Sequence, residues 1–151
     1  MKAIYIDVCA LCRPYDDQTF LRIHLEKVAV QLILEAVQAG YYALARSPVH
    51  KQEIEAIPNL LERIELLTLL EESSFMPNFE KERVRMRAEY FVSCGLGVAD
   101  AAHLAFAEST KADFISCDDK LLKKCSQVKL DIWTGSPILF CEKETWWGNI
   151  R

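Results

Sequence analysis

Four acids in this sequence stand where a carboxylate can do chemistry. Asp7 closes the apolar run Ala3-Ile4-Tyr5-Ile6, Glu53 follows Ser47-Pro48, Asp100 opens an alanine-rich stretch after Gly95 and Gly97, and Asp118 ends Ser116-Cys117-Asp118. Brought together they would repel one another strongly unless a cation neutralised them, because like charges at short range in a partly buried site are costly. Oxygen ligands without a histidine or cysteine cage favour Mg²⁺ or Mn²⁺ over zinc. Such ions keep water and bind substrate phosphates, so the chemistry implied is attack of a metal-activated water on a phosphodiester. Asp7 and Asp100 each follow apolar residues, where an unpaired carboxylate is expensive. Glu53, beside Glu55, has an exposed helical residue as its plainer alternative reading. Asp118 can cap the following helix and serve as a ligand at once.

The elements that must position these acids alternate along the chain. Ala3-Ile4-Tyr5-Ile6 reads as a buried first strand, followed by a loop at Pro14, Asp16 and Asp17. From Gln18 to Gly40 the periodicity becomes helical, with Leu21, Leu25, Val28 and Leu32 on an apolar face beside Ala29, Ile33 and Ala36. A second strand over 41–45 leads to Ser47-Pro48, an N-cap with proline at the first helical position, and Glu53 falls on that helix. Pro58 breaks it, and Asn59 with Glu62 resembles a capping box for a helix through Leu70. A loop over 71–78, helices over 79–94 and 99–108, a strand over 114–116, a short helix over 118–125, a last strand over 130–133 and a terminal element capped by Ser136-Pro137 complete the reading. Strands alternating with helices predict a three-layer α/β/α sandwich around a mainly parallel sheet with right-handed crossovers. Ligands in such folds sit at the carboxyl ends of the strands, which is where Asp7 and Asp118 belong.

Bulk properties bound the remaining function classes. A chain of 151 residues, about half apolar, makes one domain able to bury its own core. No apolar run spans a bilayer and the N-terminal run is too short for a signal peptide, so a cytoplasmic location is expected. The net charge of −4 argues against coating nucleic acid by bulk electrostatics, although four converging acids would account for much of it. Of six cysteines only Cys9 and Cys12 form a C-x-x-C, which cannot complete a zinc site alone, and Arg13-Pro14 interrupts the redox reading; reduced structural thiols are expected.

Several further residues carry two readings each. His103 lies one turn after Asp100 on the same helix face, either as a donor behind the acids or as a packed histidine. Arg13, directly after the first acid, either contacts substrate phosphate or pairs with Asp16 or Asp17. Lys81, Arg83, Arg85 and Arg87 diverge around their helix axis and read as a solvated surface. Trp146 and Trp147 are expected to pack on the sheet. Neither a receiver domain nor a dehalogenase-type phosphatase fits: the first lacks its phosphoacceptor and lysine spacing, and the second wants an acid where Cys9 stands.

Taken in order, Ile4-Tyr5-Ile6-Asp7, Ser47 with Glu53-Ile54, the segment from Gly97 through Asp100 to Ala105, and Ala112 through Ser116 to Asp118 resemble the PIN domain family. The stretch Asp7 to Asp17 is similar to a VapC-like bacterial subgroup. The resemblance implies a Rossmann-like sheet and a Mg²⁺- or Mn²⁺-dependent endoribonuclease. Asp7, Glu53, Asp100 and Asp118 would be its acids, with Asp7, Asp100 and Asp118 as metal ligands, and Arg13 and Ser116 would contact substrate. It also implies RNA as substrate, a homodimer and, for toxin-type members, a cognate antitoxin. Ser116 stands where the family prefers threonine, Cys12 where similar proteins have asparagine, and Asp119 beside Asp118 offers a second candidate for the fourth acid. The alternative is a catalytically silent scaffold of the same fold that binds RNA or a partner protein.

Overall fold

The computed structural model describes residues 1–144, so Trp146 and Trp147 lie outside the described residues. The chain opens with β1 (Lys2–Ile6), whose alternating side chains feed two cores. Ile4 and Ile6 join Leu44 and Ile115 on one face of the sheet, while Tyr5 joins Ala45 and Phe114 on the other. A strand buried on both faces must be apolar throughout, which is why this stretch shows no polar alternation.

The sheet comprises β1, β2 (Tyr42–Ala45), β3 (Ser74–Phe75), β4 (Asp113–Ile115) and β5 (Thr134–Gly135), in the order β3-β2-β1-β4-β5, and every neighbouring pair is parallel. The expected mainly parallel sheet is thus parallel throughout. From β1 the chain builds outward through β2 and β3, then crosses back to add β4 and β5 on the other side. The order therefore reverses between β1 and β4, and the Asp7 N–H donates to the Ile115 carbonyl across that join at 3.0 Å. A ligand crevice in an open parallel sheet belongs at this point.

Helices α1 (Val8–Leu11), α2 (Leu21–Gln38), α3 (Pro48–Glu55), α4 (Leu60–Ser73) and α8 (Pro137–Glu144) contribute to the first core; α5 (Lys81–Ser93), α6 (Val98–Thr110) and α7 (Asp119–Cys125) contribute to the second. Ser47 and Pro48 start α3 as the sequence requires, and Asn59 caps α4 by accepting the Glu62 N–H at 3.0 Å. No helix among the described residues is long and apolar enough to cross a membrane.

Four expectations need correction. The loop marked by Pro14, Asp16 and Asp17 begins only at Asp16: α1 forms directly after Asp7 and a 3-10 turn over Arg13–Tyr15 takes in Pro14, because the Asp7 side chain caps the first turn and proline suits a helical start. Residues 71–78 hold the end of α4 and the two-residue edge strand β3. The last strand is Thr134–Gly135 rather than 130–133, with the Trp133 indole lying where a Cβ on Gly135 would be, 2.5 Å from the nearest ring carbons. In α2 the apolar residues turned inward are Ala29, Val30, Ile33 and Ala36, whereas Leu21, Leu25 and Val28 are exposed.

The approach to α6 depends on one residue. Helix α5 ends with the Leu96 N–H on the Phe91 carbonyl at 3.1 Å and the Gly95 N–H on Val92 at 3.0 Å, a pattern that requires a positive φ at Gly95, here 101°. Lys124 Nζ fixes the same turn by donating to the Gly95 carbonyl at 2.6 Å. At the far end of α6, Lys111 takes a left-handed conformation, φ 56°, without being glycine. Chemical denaturation should therefore show Gly95→Ala losing about 1–2 kcal/mol. Lys111→Gly should be neutral to mildly stabilising, since relief of strain and added unfolded-chain entropy oppose each other.

Candidate active site

Asp7 follows β1 directly and is 3 % exposed. Its Oδ1 accepts the Ala10 N–H at 3.0 Å, and the Ser116 hydroxyl, buried at the end of β4, also bonds the carboxylate. Burial pushes the Asp7 carboxyl up from 3.8 to about 6, against the opposing pull of those two hydrogen bonds, and the neighbouring Asp100 charge adds to the rise. Among the described residues no lysine or arginine forms an ion pair with it.

Asp100 lies in the first turn of α6, and burial raises its pKa, with the Asp118 and Glu53 charges adding to the effect. Asp118 caps α7, accepting the Lys120 and Leu121 N–H groups at 3.0 and 3.2 Å, while its own N–H donates to Ser116 Oγ at 3.0 Å. Ser116 thus ties Asp7 and Asp118 together. Asp119 is turned to α2, where its carboxylate receives two N–H groups of Arg22 at 2.6 and 2.5 Å and remains 66 % exposed. Of the two adjacent acids, Asp118 is the one whose charge reaches Asp100.

Glu53 lies in the last turn of α3 and is held below the ordinary carboxylate range, chiefly by a hydrogen bond from His103 Nε2. His103, 2 % exposed, has its Nδ1 at 2.5 Å from the Tyr5 hydroxyl, which in turn is 2.7 Å from Ser47 Oγ. His50 Nδ1 accepts the Ser47 N–H at 3.0 Å and its Nε2 donates to the Ile6 carbonyl at 2.7 Å. Burial, then the adjacent His103 ring, lowers His50 to about 4, so it is neutral. Both readings of His103 hold: the ring is packed, and it stands behind an acid. Tyr5 and His50 were missed as partners. Their traces in the sequence are the placement of Tyr5 two residues before Asp7 on the same strand face, and of His50 at the third helical position after Ser47, where a capping box puts a polar side chain.

Arg13 pairs with Asp16 at 2.7 Å and with buried Glu26 at 3.1 Å. Arg85 pairs with Glu82 and Glu89, and Arg87 stacks on Tyr90 and Phe91 while holding Glu108, so the basic residues of α5 diverge as expected. All six cysteines are free. Burial pushes the Cys9 and Cys12 thiols up to about 12, unlike metal-binding thiolates.

A family model described as PIN domain matches residues 4–126. The chain belongs to the PIN domain family. PIN domains are generally nucleases and typically use divalent metal ions. The fold is similar to that in the crystal structure of FitAcB from Neisseria gonorrhoeae, with a TM-score of 0.53 at 18 % identity over 89 % of this chain and 97 % of that one. No curated protein sequence matches the chain.

The donor set of this PIN domain suits a hard divalent cation. Among the described residues no three acidic, histidine or cysteine side chains already form a coordination cage, so the fit rests on charge: two carboxylates raised by burial and mutual repulsion, supplied with oxygen donors alone. The same feature fixes a pH dependence. Folded Asp7 keeps its proton to about pH 6 while the unfolded chain releases it near 3.8, so its contribution is greatest below 3.8 and is lost as pH rises through 6. The loss amounts to about 3 kcal/mol. Denaturation in chelator should show wild type weakening over this window, with Asp7→Asn showing a smaller slope and equal or greater stability at pH 7.5. A wild-type slope equal to that of Asp7→Asn would refute the burial cost.

Proposed function

We propose that this PIN domain is a metal-dependent endoribonuclease, with Asp7, Asp100 and Asp118 as ligands for Mg²⁺ or Mn²⁺ and Glu53 as the fourth catalytic acid. The observation that carries this reading is the pair Asp7 and Asp100, buried or half-buried like charges with raised pKa values and no ion-pair partner among the described residues. A bound divalent ion would neutralise them, polarise the scissile phosphate and assist ionisation of the attacking water. The chain's own residues do the rest. Ser116 orients two of the acids through its hydrogen bonds with Asp7 and Asp118. Glu53, kept ionised by His103, accepts a hydrogen bond from the attacking water and orients it toward phosphorus. Arg13 retains guanidinium N–H groups beyond those given to Asp16 and Glu26, which fits a phosphate contact.

RNA as substrate is supported by the likeness of Asp7 to Asp17 to VapC-like proteins, and so is a role as the toxin of a toxin–antitoxin pair in the cytoplasm. Exposed Leu21, Leu25 and Val28 on α2, with Leu60, Leu61 and Ile64 on α4, support an antitoxin or second-copy partner. Purified protein should cleave single-stranded RNA on addition of Mg²⁺ or Mn²⁺ and not in chelator. Asp7→Asn and Asp100→Asn should each lose at least about a hundredfold in kcat, the scale set by removing one preorganised group from a reacting centre. Activity unchanged in both variants would overturn the site. RNA binding without turnover by wild type would make the chain a silent scaffold.

A further inference from the structure

Three of the four acids are placed by helix N-termini. Asp7 caps α1, Asp118 caps α7, and Asp100 lies in the first turn of α6, where backbone N–H groups and the helix dipole favour a negative charge. Glu53 is the exception. It lies in the last turn of α3, where the dipole opposes an anion, and its long side chain has the most rotamer freedom of the four. Some other group must hold it.

The buried chain behind Glu53 supplies that group, and its protons can be placed by elimination. The Ile6 carbonyl can only accept, so His50 carries its proton on Nε2; its bare Nδ1 takes the Ser47 N–H. The Glu53 carboxylate can only accept, so His103 carries a proton on Nε2. If Ser47 donates to Tyr5 and Tyr5 donates to His103 Nδ1, every donor in the row has one acceptor, and Ser47 Oγ still accepts the Val49 N–H at 3.3 Å. All three donors are at most 2 % exposed, which shields the row from competing water.

We propose that His103 and Tyr5 are positioning residues of the active site: the one-way row from Ser47 through Tyr5 and His103 clamps one oxygen of Glu53 and leaves the other to serve the reacting water. This rests on the reading of Glu53 as a catalytic acid. The row spans β1, α3 and α6, so it also fixes the helix bearing Asp100 against the helix bearing Glu53.

Steady-state kinetics of His103→Leu, His103→Gln, Tyr5→Phe and the double variant Tyr5→Phe/His103→Leu test it, together with proton NMR of the wild type and Glu53→Ala. His103→Leu should lower kcat about 10- to 100-fold with KM little changed, the range for residues that orient a functional ligand. His103→Gln, which restores an N–H donor, should recover most of it. Tyr5→Phe should lose several-fold, and the double variant no more than His103→Leu alone, since both cut one row. A far-downfield imidazole N–H resonance from His103 should be present in the metal-free wild type and lost in Glu53→Ala. Additive losses, failure of Gln to rescue, or absence of that resonance would overturn the proposal. Full activity of Asp7→Asn and Asp100→Asn with the resonance and its Glu53 dependence intact would instead overturn the proposed metal-ligand set and leave the clamp standing.

Discussion

The structure is organised around a cost: several carboxylates converge at one rim of the sheet without enough cationic side chains to balance them. The parallel order β3-β2-β1-β4-β5 creates that rim, because the reversal between β1 and β4 opens a crevice at their carboxyl ends. Into it the chain delivers Asp7 from β1, Asp118 just after β4, and Asp100 from the helix entering beside them. The fold meets the charge with oriented dipoles instead of counter-ions. Backbone N–H groups at the starts of α1 and α7, the Ser116 hydroxyl and the His103 ring hold Asp7, Asp118 and Glu53, while Asp100 lies in the first turn of α6. Dipoles fix position without cancelling net charge, so the repulsion between the acids persists in the folded protein.

Acids next door are treated differently, and the contrast separates site from scaffold. Asp119, one residue from Asp118, is neutralised by Arg22, and Asp16 by Arg13. Buried Glu26 takes Arg13 on one oxygen, with Arg22 at 3.7 Å. These pairs tie the segment after β1 to α2 and α7, around the rim rather than in it. Exposed members of such pairs add little stability; none of them involves Asp7 or Asp100. A protein of net charge −4 can thus retain an acidic crevice without wholesale self-repulsion.

Much of this was legible in the sequence, and the failures share a cause. The apolar strands, the cap at Ser47-Pro48 and the four acids are local signals, carried by residues adjacent in the chain. Strand β3 escaped because two residues cannot display a period, and β5 because Gly135 is kept small by the Trp133 ring rather than by strand propensity. Leu21, Leu25 and Val28 are the larger apolar residues of α2, yet the smaller Ala29 and Ala36 are the ones buried. What sets Asp119 apart from Asp118 is Arg22, nearly a hundred positions away in the chain. No spacing rule links Glu53 to His103, fifty residues on, or either to Tyr5.

The tertiary contact between those three also explains how the rim tolerates its own charge. A carboxylate unsupported by a helix start would be free to swing into solvent, the cheapest response to repulsion from Asp100. Clamping Glu53 to a buried imidazole removes that escape, since breaking the bond would strand the ring's N–H in the core. Neutral His50 keeps positive charge from accumulating behind that ring. The repulsion is thereby retained in the folded state, where binding a divalent cation can relieve it, instead of being dissipated by side-chain motion. Rigidity behind the acids and lack of compensation in front of them are two parts of one design, in which stability given up at Asp7 would become affinity for any cation bound there.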